Sequence, residues 1–120
     1  MKTGIERISE ERQEKQIKKH GFTGKHHAEN PQWYDQNQLV TAAAALINIE
    51  DWEKVSPLVK ETYWRVVPPN WDKDWYNDLL GRPYEERLVI SGAMLAAELD
   101  RRAYLQKFVN KKKQSNTSKK

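Results

Sequence analysis

The chain contains no cysteine, which excludes disulfide bonds and thiolate metal sites and fits a reducing compartment. It lacks any run approaching the roughly 20 apolar residues that a membrane helix requires, and its N-terminus (Met1-Lys2-Thr3-Gly4-Ile5-Glu6) has no apolar signal core. A soluble, unexported protein without membrane contact is expected, in the cytoplasm. No Walker loop, Rossmann glycine fingerprint, serine nucleophile elbow or cysteine nucleophile is present. Surface positive charge is also scarcer than the formal net charge of +4 suggests, because Lys111, Lys112, Lys113, Lys119 and Lys120 lie together at the C-terminus. Setting these five aside leaves 16 cations against 17 anions. A nucleic-acid binder gathers its cations on the folded surface to neutralise phosphates, whereas here they cluster in a tail.

What is present reads as helices. At 120 residues the chain is one domain long, able to bury roughly two-thirds of its unfolded surface in one core. Thr3-Gly4-Ile5-Glu6 has capping-box spacing, so a first helix is predicted from there to about His20, where Gly21 supplies a left-handed stop and Lys18 and Lys19 suit the dipole. Its apolar content, Ile5, Ile8 and Ile17, is thin. Residues 22–34 carry Gly24, Asn30 and Pro31 without a sustained period and read as an ordered loop. Asp35 with Gln38 repeats the capping pattern, and Leu39, Ala42, Ala43, Leu46 and Ile47 follow on one helical face.

From Glu50 to Arg82 the prolines Pro57, Pro68 and Pro69 interrupt an aromatic-rich stretch, predicting short helices, with Tyr63 to Val67 open to an extended conformation. Pro83, Glu85 and Glu86 then start the longest helix, on which Leu88, Gly92, Leu95, Ala96, Leu99 and Ala103 recur every three or four residues. Glycine inside a helix costs about 1 kcal/mol relative to alanine, so Gly92 implies a close backbone neighbour, for which the alanines of the second helix are the natural choice. Beyond about Lys111 the composition predicts a disordered basic tail.

Several of these residues together carry a resemblance. Gln16-Ile17, Gly21-Phe22-Thr23 and His26, then Leu39 with Ala42-Ala43, a Trp-rich Pro-Asn-Trp-Asp stretch, and Arg87-Leu88 through Gly92-Ala93 to Glu98-Leu99-Asp100-Arg101 are similar to a family of small helical proteins encoded by bacteriophages and prophages. The likeness spans most of residues 5–101. It implies a phage accessory protein acting in a bacterial host cytoplasm and carries no assigned activity. Relatives have acidic residues after the histidine, where this chain has His26-His27-Ala28-Glu29.

Candidate chemistry is sparse. His26, His27 and Glu29 are metal-ligand types, but adjacent histidines point apart and no second ligand cluster is evident, so a polar loop or capping role is favoured over a metal site. A magnesium-dependent all-α nucleotide pyrophosphatase is the alternative enzyme reading. Such enzymes resemble one another in an E-x-x-E motif followed by E-x-x-D, and Glu50-Asp51-Trp52-Glu53 fits the first. Glu98-Leu99-Asp100 fails the second, its carboxylates falling about 200° apart on a helix. Glu98, Asp100, Arg101 and Arg102 offer an anion or partner site, against which stands the plain reading of Glu98 and Arg102 as a surface ion pair of about 0.2–0.5 kcal/mol. The tryptophans supply core bulk or, where Trp64, Trp71 or Trp75 is exposed, a recognition surface with Arg65 and Arg82 beside it.

The sequence therefore predicts an all-α domain over residues 1–110 with a disordered tail over 111–120. It is read as a non-enzymatic protein binding a host protein or a nucleotide-type small molecule, with no cofactor, metal or catalytic residue assigned. The candidate binding residues are His26, Trp64, Arg65, Trp71, Trp75, Arg82, Asp100 and Arg101. The tail adds weak, nonspecific nucleic-acid attraction, and the thin first helix with its small-residue neighbours leaves room for a homo-oligomer.

Overall fold

The Thr3 hydroxyl accepts the Glu6 backbone N–H at 3.1 Å while the Glu6 carboxylate reaches back to the Thr3 N–H, so α1 (Gly4–Glu10) begins where the capping box predicts. This computed structural model describes residues 1–64 and 67–118, the side chains of 62–64 and 108–118 excepted. After α1 the axis continues as a π-helical segment (Glu11–Lys19), an uncommon geometry whose i→i+5 bonding widens the turn to more than four residues. Gly21, at φ 71°, ends it as expected: its N–H bonds to the Ile17 carbonyl and that of Phe22 to the Gln16 carbonyl, both at 2.8 Å.

Residues 22–34 are not a loop. Thr23 accepts the His26 N–H at 3.0 Å and starts α2 (Gly24–Glu29), and Pro31 opens α3 (Pro31–Tyr34), where its missing N–H costs nothing. The second cap is also corrected: α4 (Gln38–Asn48) starts after Asn37, which is left-handed at φ 63°. Gln38 does not cap toward Asp35. Its carbonyl accepts the Gln36 N–H at 2.6 Å and its amide donates to the carbonyls of Gln32 and Pro69, which satisfies a fully buried side chain and ties three segments together.

The segment from residue 50 to 82 contains a 3₁₀ turn (Trp52–Lys54), α5 (Pro57–Trp64) and α6 (Lys73–Leu80). Tyr63 and Trp64 are helical, correcting the extended alternative; residues 65–66 lie outside the described residues. The final helix, α7, spans Tyr84–Ser118 and so runs past Lys111, where order is expected to stop. Among the described residues there are helices and no strand, consistent with a small all-α domain.

The core lies between α4 and α7, whose contact is the most extensive in the molecule, with α6 closing one side. Leu39, Ala42, Ala43 and Leu46 meet Ile90, Met94 and Ala97, while Leu79 and Leu80 fill from α6. Close approach is visible in two bonds to α4 carbonyls: Ser91 Oγ to Ala43 at 3.0 Å and the Tyr76 hydroxyl to Ala42 at 2.9 Å.

The buried face of α7 differs from the predicted one. Leu88, Leu95 and Leu99 are 43%, 44% and 68% exposed, whereas Arg87, Ile90, Ser91, Met94, Ala97 and Glu98 face inward. Gly92 is correspondingly not against the α4 alanines. A Cβ there would lie 2.7 Å from Ile8 Cδ1, so the glycine makes room for a side chain of α1. The backbone crossing tight enough to require glycine is at Gly24, whose Cβ would meet the Asp100 carbonyl oxygen at 2.5 Å and its carbon at 2.7 Å.

A candidate ligand cavity

Two long-range bonds assemble the aromatic wall. Asn70, left-handed at φ 70°, donates its side-chain amide to the Gln32 carbonyl at 2.8 Å, and Trp71 Nε1 donates to the Trp33 carbonyl at 2.8 Å. They clamp the turn before α6 onto α3. Asp72 then caps α6 by accepting the Trp75 N–H at 2.8 Å, which sets the Trp75 ring 5.7 Å from that of Trp71. Tyr34 stands edge-on to Trp71 at 6.4 Å and packs 3.9 Å from the His27 ring, and Phe22 stacks between His20 and His26 at 5.3 and 5.6 Å.

These rings enclose a cavity of about 510 Å³, within the usual range for small-molecule sites. Its floor is Leu39, Leu79, Ile90 and Met94 from the core. The facing wall is the π-helical segment, whose wide turn brings Glu11, Lys15, Gln16 and Lys19 to the cavity. Lys15 pairs with Glu11 at 3.3 Å and Arg82 with Asp78 at 3.5 Å, while Lys19 has no acidic partner among the described residues. The Arg82 pair is a surface pair, worth little and readily exchanged for an anionic ligand. Lys15 and Arg82 also border a second depression of about 260 Å³, so the two cations stand at the junction.

His27 is the buried titratable group of this site. It is 2% exposed and its Nδ1 has no hydrogen-bond partner. Burial, reinforced by the Arg12 cation and by the neighbouring His26 ring, pushes its pKa down to about 3, so the ring is neutral at physiological pH. Burial also raises the Tyr34 hydroxyl to about 12.

Of the residues nominated from sequence, His26, Trp71, Trp75 and Arg82 line this one cavity. Asp100 and Arg101 do not: they belong to a polar cluster behind it. Arg12, 3% exposed, holds Asp100 through Nε at 3.0 Å and Nη2 at 2.8 Å, and donates Nη1 to the Phe22 carbonyl at 2.6 Å. Glu98, read from sequence as half of a surface pair, is instead 4% exposed and accepts both Arg101, at 2.8 and 2.9 Å, and Arg102, at 2.7 Å. Burial pushes its carboxyl upward, and the two guanidinium groups more than reverse this, leaving it below the ordinary glutamate value. The side chain of Trp64 and all of Arg65 lie outside the described residues.

The carboxylates of the hydrolase alternative are dispersed. Glu50 lies at the Arg87 end of α7, where its carbonyl accepts Nη2, and Glu98 is eleven residues further along, roughly 16 Å at helical rise. Among the described residues no group of three or more His, Asp or Glu side chains could hold a metal ion. Sequence reasoning missed Arg12, Tyr34, Lys15 and Lys19, and Trp33 with them, and weighed His27 only as a metal-ligand type. The aromatic types of Trp33 and Tyr34 were a usable signal; the inward turn of Arg12 and the lysine-bearing π turn had none. No helix among the described residues is long and apolar enough to cross a membrane. Comparison of the chain with protein-family models, with curated proteins and with solved structures finds no match.

Proposed function

We propose that the protein is a non-catalytic binder of a small planar heteroaromatic anion of nucleotide type, acting, as the sequence resemblance implies, as a phage accessory protein in a bacterial cytoplasm. The observation that carries this reading is the union, in one cavity of about 510 Å³, of the Trp71 and Trp75 rings with the cations of Lys15, Lys19 and Arg82. Aromatic faces stack on any nucleobase, and guanidinium and ammonium groups meet phosphate. The apolar floor excludes water from the stacked ring and strengthens both contacts.

The test is titration of the protein with nucleoside mono-, di- and triphosphates in the presence of magnesium, read by tryptophan fluorescence and calorimetry, with the nucleotide recovered and analysed afterwards. Saturable quenching that is lost in Trp71→Ala and in Lys15→Ala/Lys19→Ala, with the nucleotide recovered unchanged, is expected. Consumption of the nucleotide overturns the non-catalytic assignment in favour of hydrolysis. Absence of any binding refutes the reading and turns attention to a host-protein partner, for which the exposed rings of Trp33 (39%) and Trp75 (41%) are the candidate contact.

A further inference from the structure

One polar group at the cavity is supported by the fold without being used by it. Tyr34 closes α3 and is 6% exposed, fixed between the His27 ring at 3.9 Å and the Trp71 edge at 6.4 Å. Its hydroxyl bonds to no described residue, although the residue lines the cavity. Other polar groups beside it are committed, Gln38 to residues 32, 36 and 69, Trp71 Nε1 to residue 33 and the Tyr76 hydroxyl to residue 42, the exception being the sealed Nδ1 of His27. Unlike His27 Nδ1, this hydroxyl is not sealed from solvent, so it is available to a ligand in the cavity that Tyr34 lines.

Resting on the nucleotide reading above, we propose that Tyr34 is the specificity-determining residue of the site. It donates its hydroxyl to an acceptor on the base edge of a nucleoside monophosphate whose ring lies against Trp71 and Trp75 and whose phosphate meets Lys15, Lys19 and Arg82. Three features support the assignment. The ring packs against His27 and Trp71, so the hydroxyl has little entropy to lose. The phenol stays protonated through the neutral range because burial raises its pKa to about 12, so it remains a donor. The cations lie on the π-helical wall and at Arg82, on elements other than α3, so the base-reading group and the phosphate-binding groups of the cavity come from different parts of the fold. A site that offers a buried hydrogen bond rejects ligands unable to complete it far more strongly than an apolar pocket distinguishes shapes.

The test is calorimetric titration of wild type and Tyr34→Phe with AMP, GMP, CMP and UMP, with ribose 5-phosphate as the base-free probe. Wild type is expected to prefer one base by about tenfold or more; Tyr34→Phe should lose about tenfold affinity for that nucleotide and rank all four within about twofold, while ribose 5-phosphate binds both proteins equally weakly. Circular dichroism melts establish that the variant folds. Independently of any variant, analogues of the preferred nucleotide lacking a single ring-edge acceptor should reproduce the loss on wild type for one analogue alone. Retention of affinity and ranking by folded Tyr34→Phe, or indifference of wild type to every analogue, overturns the assignment of Tyr34 while leaving nucleotide binding standing. Failure of wild type to bind any of the four refutes the monophosphate assignment, and failure with the di- and triphosphates as well refutes the nucleotide reading with it.

Discussion

Replacing Arg87 should do more damage than replacing any leucine of the exposed α7 stripe. The side chain is 2% exposed and pairs with no carboxylate among the described residues; four carbonyls hold it. Nε donates to Arg82 at 2.9 Å, Nη1 to Leu46 at 2.8 Å and to Ile49 at 2.5 Å, and Nη2 to Glu50 at 2.6 Å. Three of those acceptors terminate α4, where carbonyls lack intrahelical donors and the dipole is negative. Burial pulls the guanidinium pKa below the ordinary arginine value, with Tyr84 and Asp51 opposing it.

Hydrogen bonds from charged donors contribute about 1.5–3 kcal/mol each, though not additively, and each buried acceptor left unpaired costs about 1–3 kcal/mol. Arg87→Met preserves the apolar stem and leaves the carbonyls unpaired, so a loss of about 3–5 kcal/mol is expected. At roughly 4 °C per kcal/mol for a chain of this length, Tm falls by at least about 12 °C. Arg87→Lys should recover only part of this, because one compact ammonium cannot span acceptors that a planar fork reaches. Urea denaturation followed by tryptophan fluorescence and far-UV circular dichroism measures both. A Met variant within about 1 kcal/mol of wild type, or a Lys variant equal to it, would show that water satisfies the end of α4 and would refute the reasoning.

The neutral His27 predicts acid sensitivity with a defined window. Unfolded, the ring takes up a proton near 6.5; folded, it does so near 3, so the unfolded state binds more protons between those values and stability falls as pH drops from 6.5. The slope approaches 1.4 kcal/mol per pH unit, giving a loss of about 2 kcal/mol between pH 6.5 and 5 that thermal melts should detect in wild type and find flattened in His27→Gln. Glu98 acts with the same sign but below 4.5, since its folded pKa is depressed and its pairing is lost on protonation. The two glycines should respond differently to alanine in urea titrations. Gly24→Ala forces Cβ against the Asp100 backbone and costs about 1–3 kcal/mol. Gly92→Ala displaces only the end of the half-buried Ile8 side chain and gains about 1 kcal/mol of helix propensity, leaving it near neutral.

Local signals were legible because their partners are close in sequence. The Thr3 and Glu6 box and the Gly21 stop both follow from residues a few positions apart. The face of α7 was not legible, and the reason is specific. Two stripes lie one position apart: Leu88, Leu95 and Leu99 on one, Arg87, Ser91, Met94 and Glu98 on the other. Hydrophobicity selects the leucines. What reverses the choice is that Arg87 finds carbonyls up to 41 residues away and Glu98 finds two arginines on its own helix, so the polar stripe is buried with its needs met.

The same distinction explains the candidate site. Composition nominated Trp71, Trp75, Arg82 and His26 because aromatic and cationic types are informative wherever they occur. It could not nominate Tyr34 or Trp33 as their companions, since α3 joins them only through Asn70 and Trp71 donating across 38 residues. Nor could it separate His26 from His27: both are histidines in one short helix, yet one is half-buried at the cavity and the other is sealed beside Arg12. The decisive residue for that seal is Gly24, because only a side chain without Cβ lets α2 approach the Asp100 backbone closely. The crossing that glycine permits brings α2, and His27 with it, against α7, so the neutral state of His27 and the closure of the cavity depend on one contact, and Gly24→Ala should loosen both together.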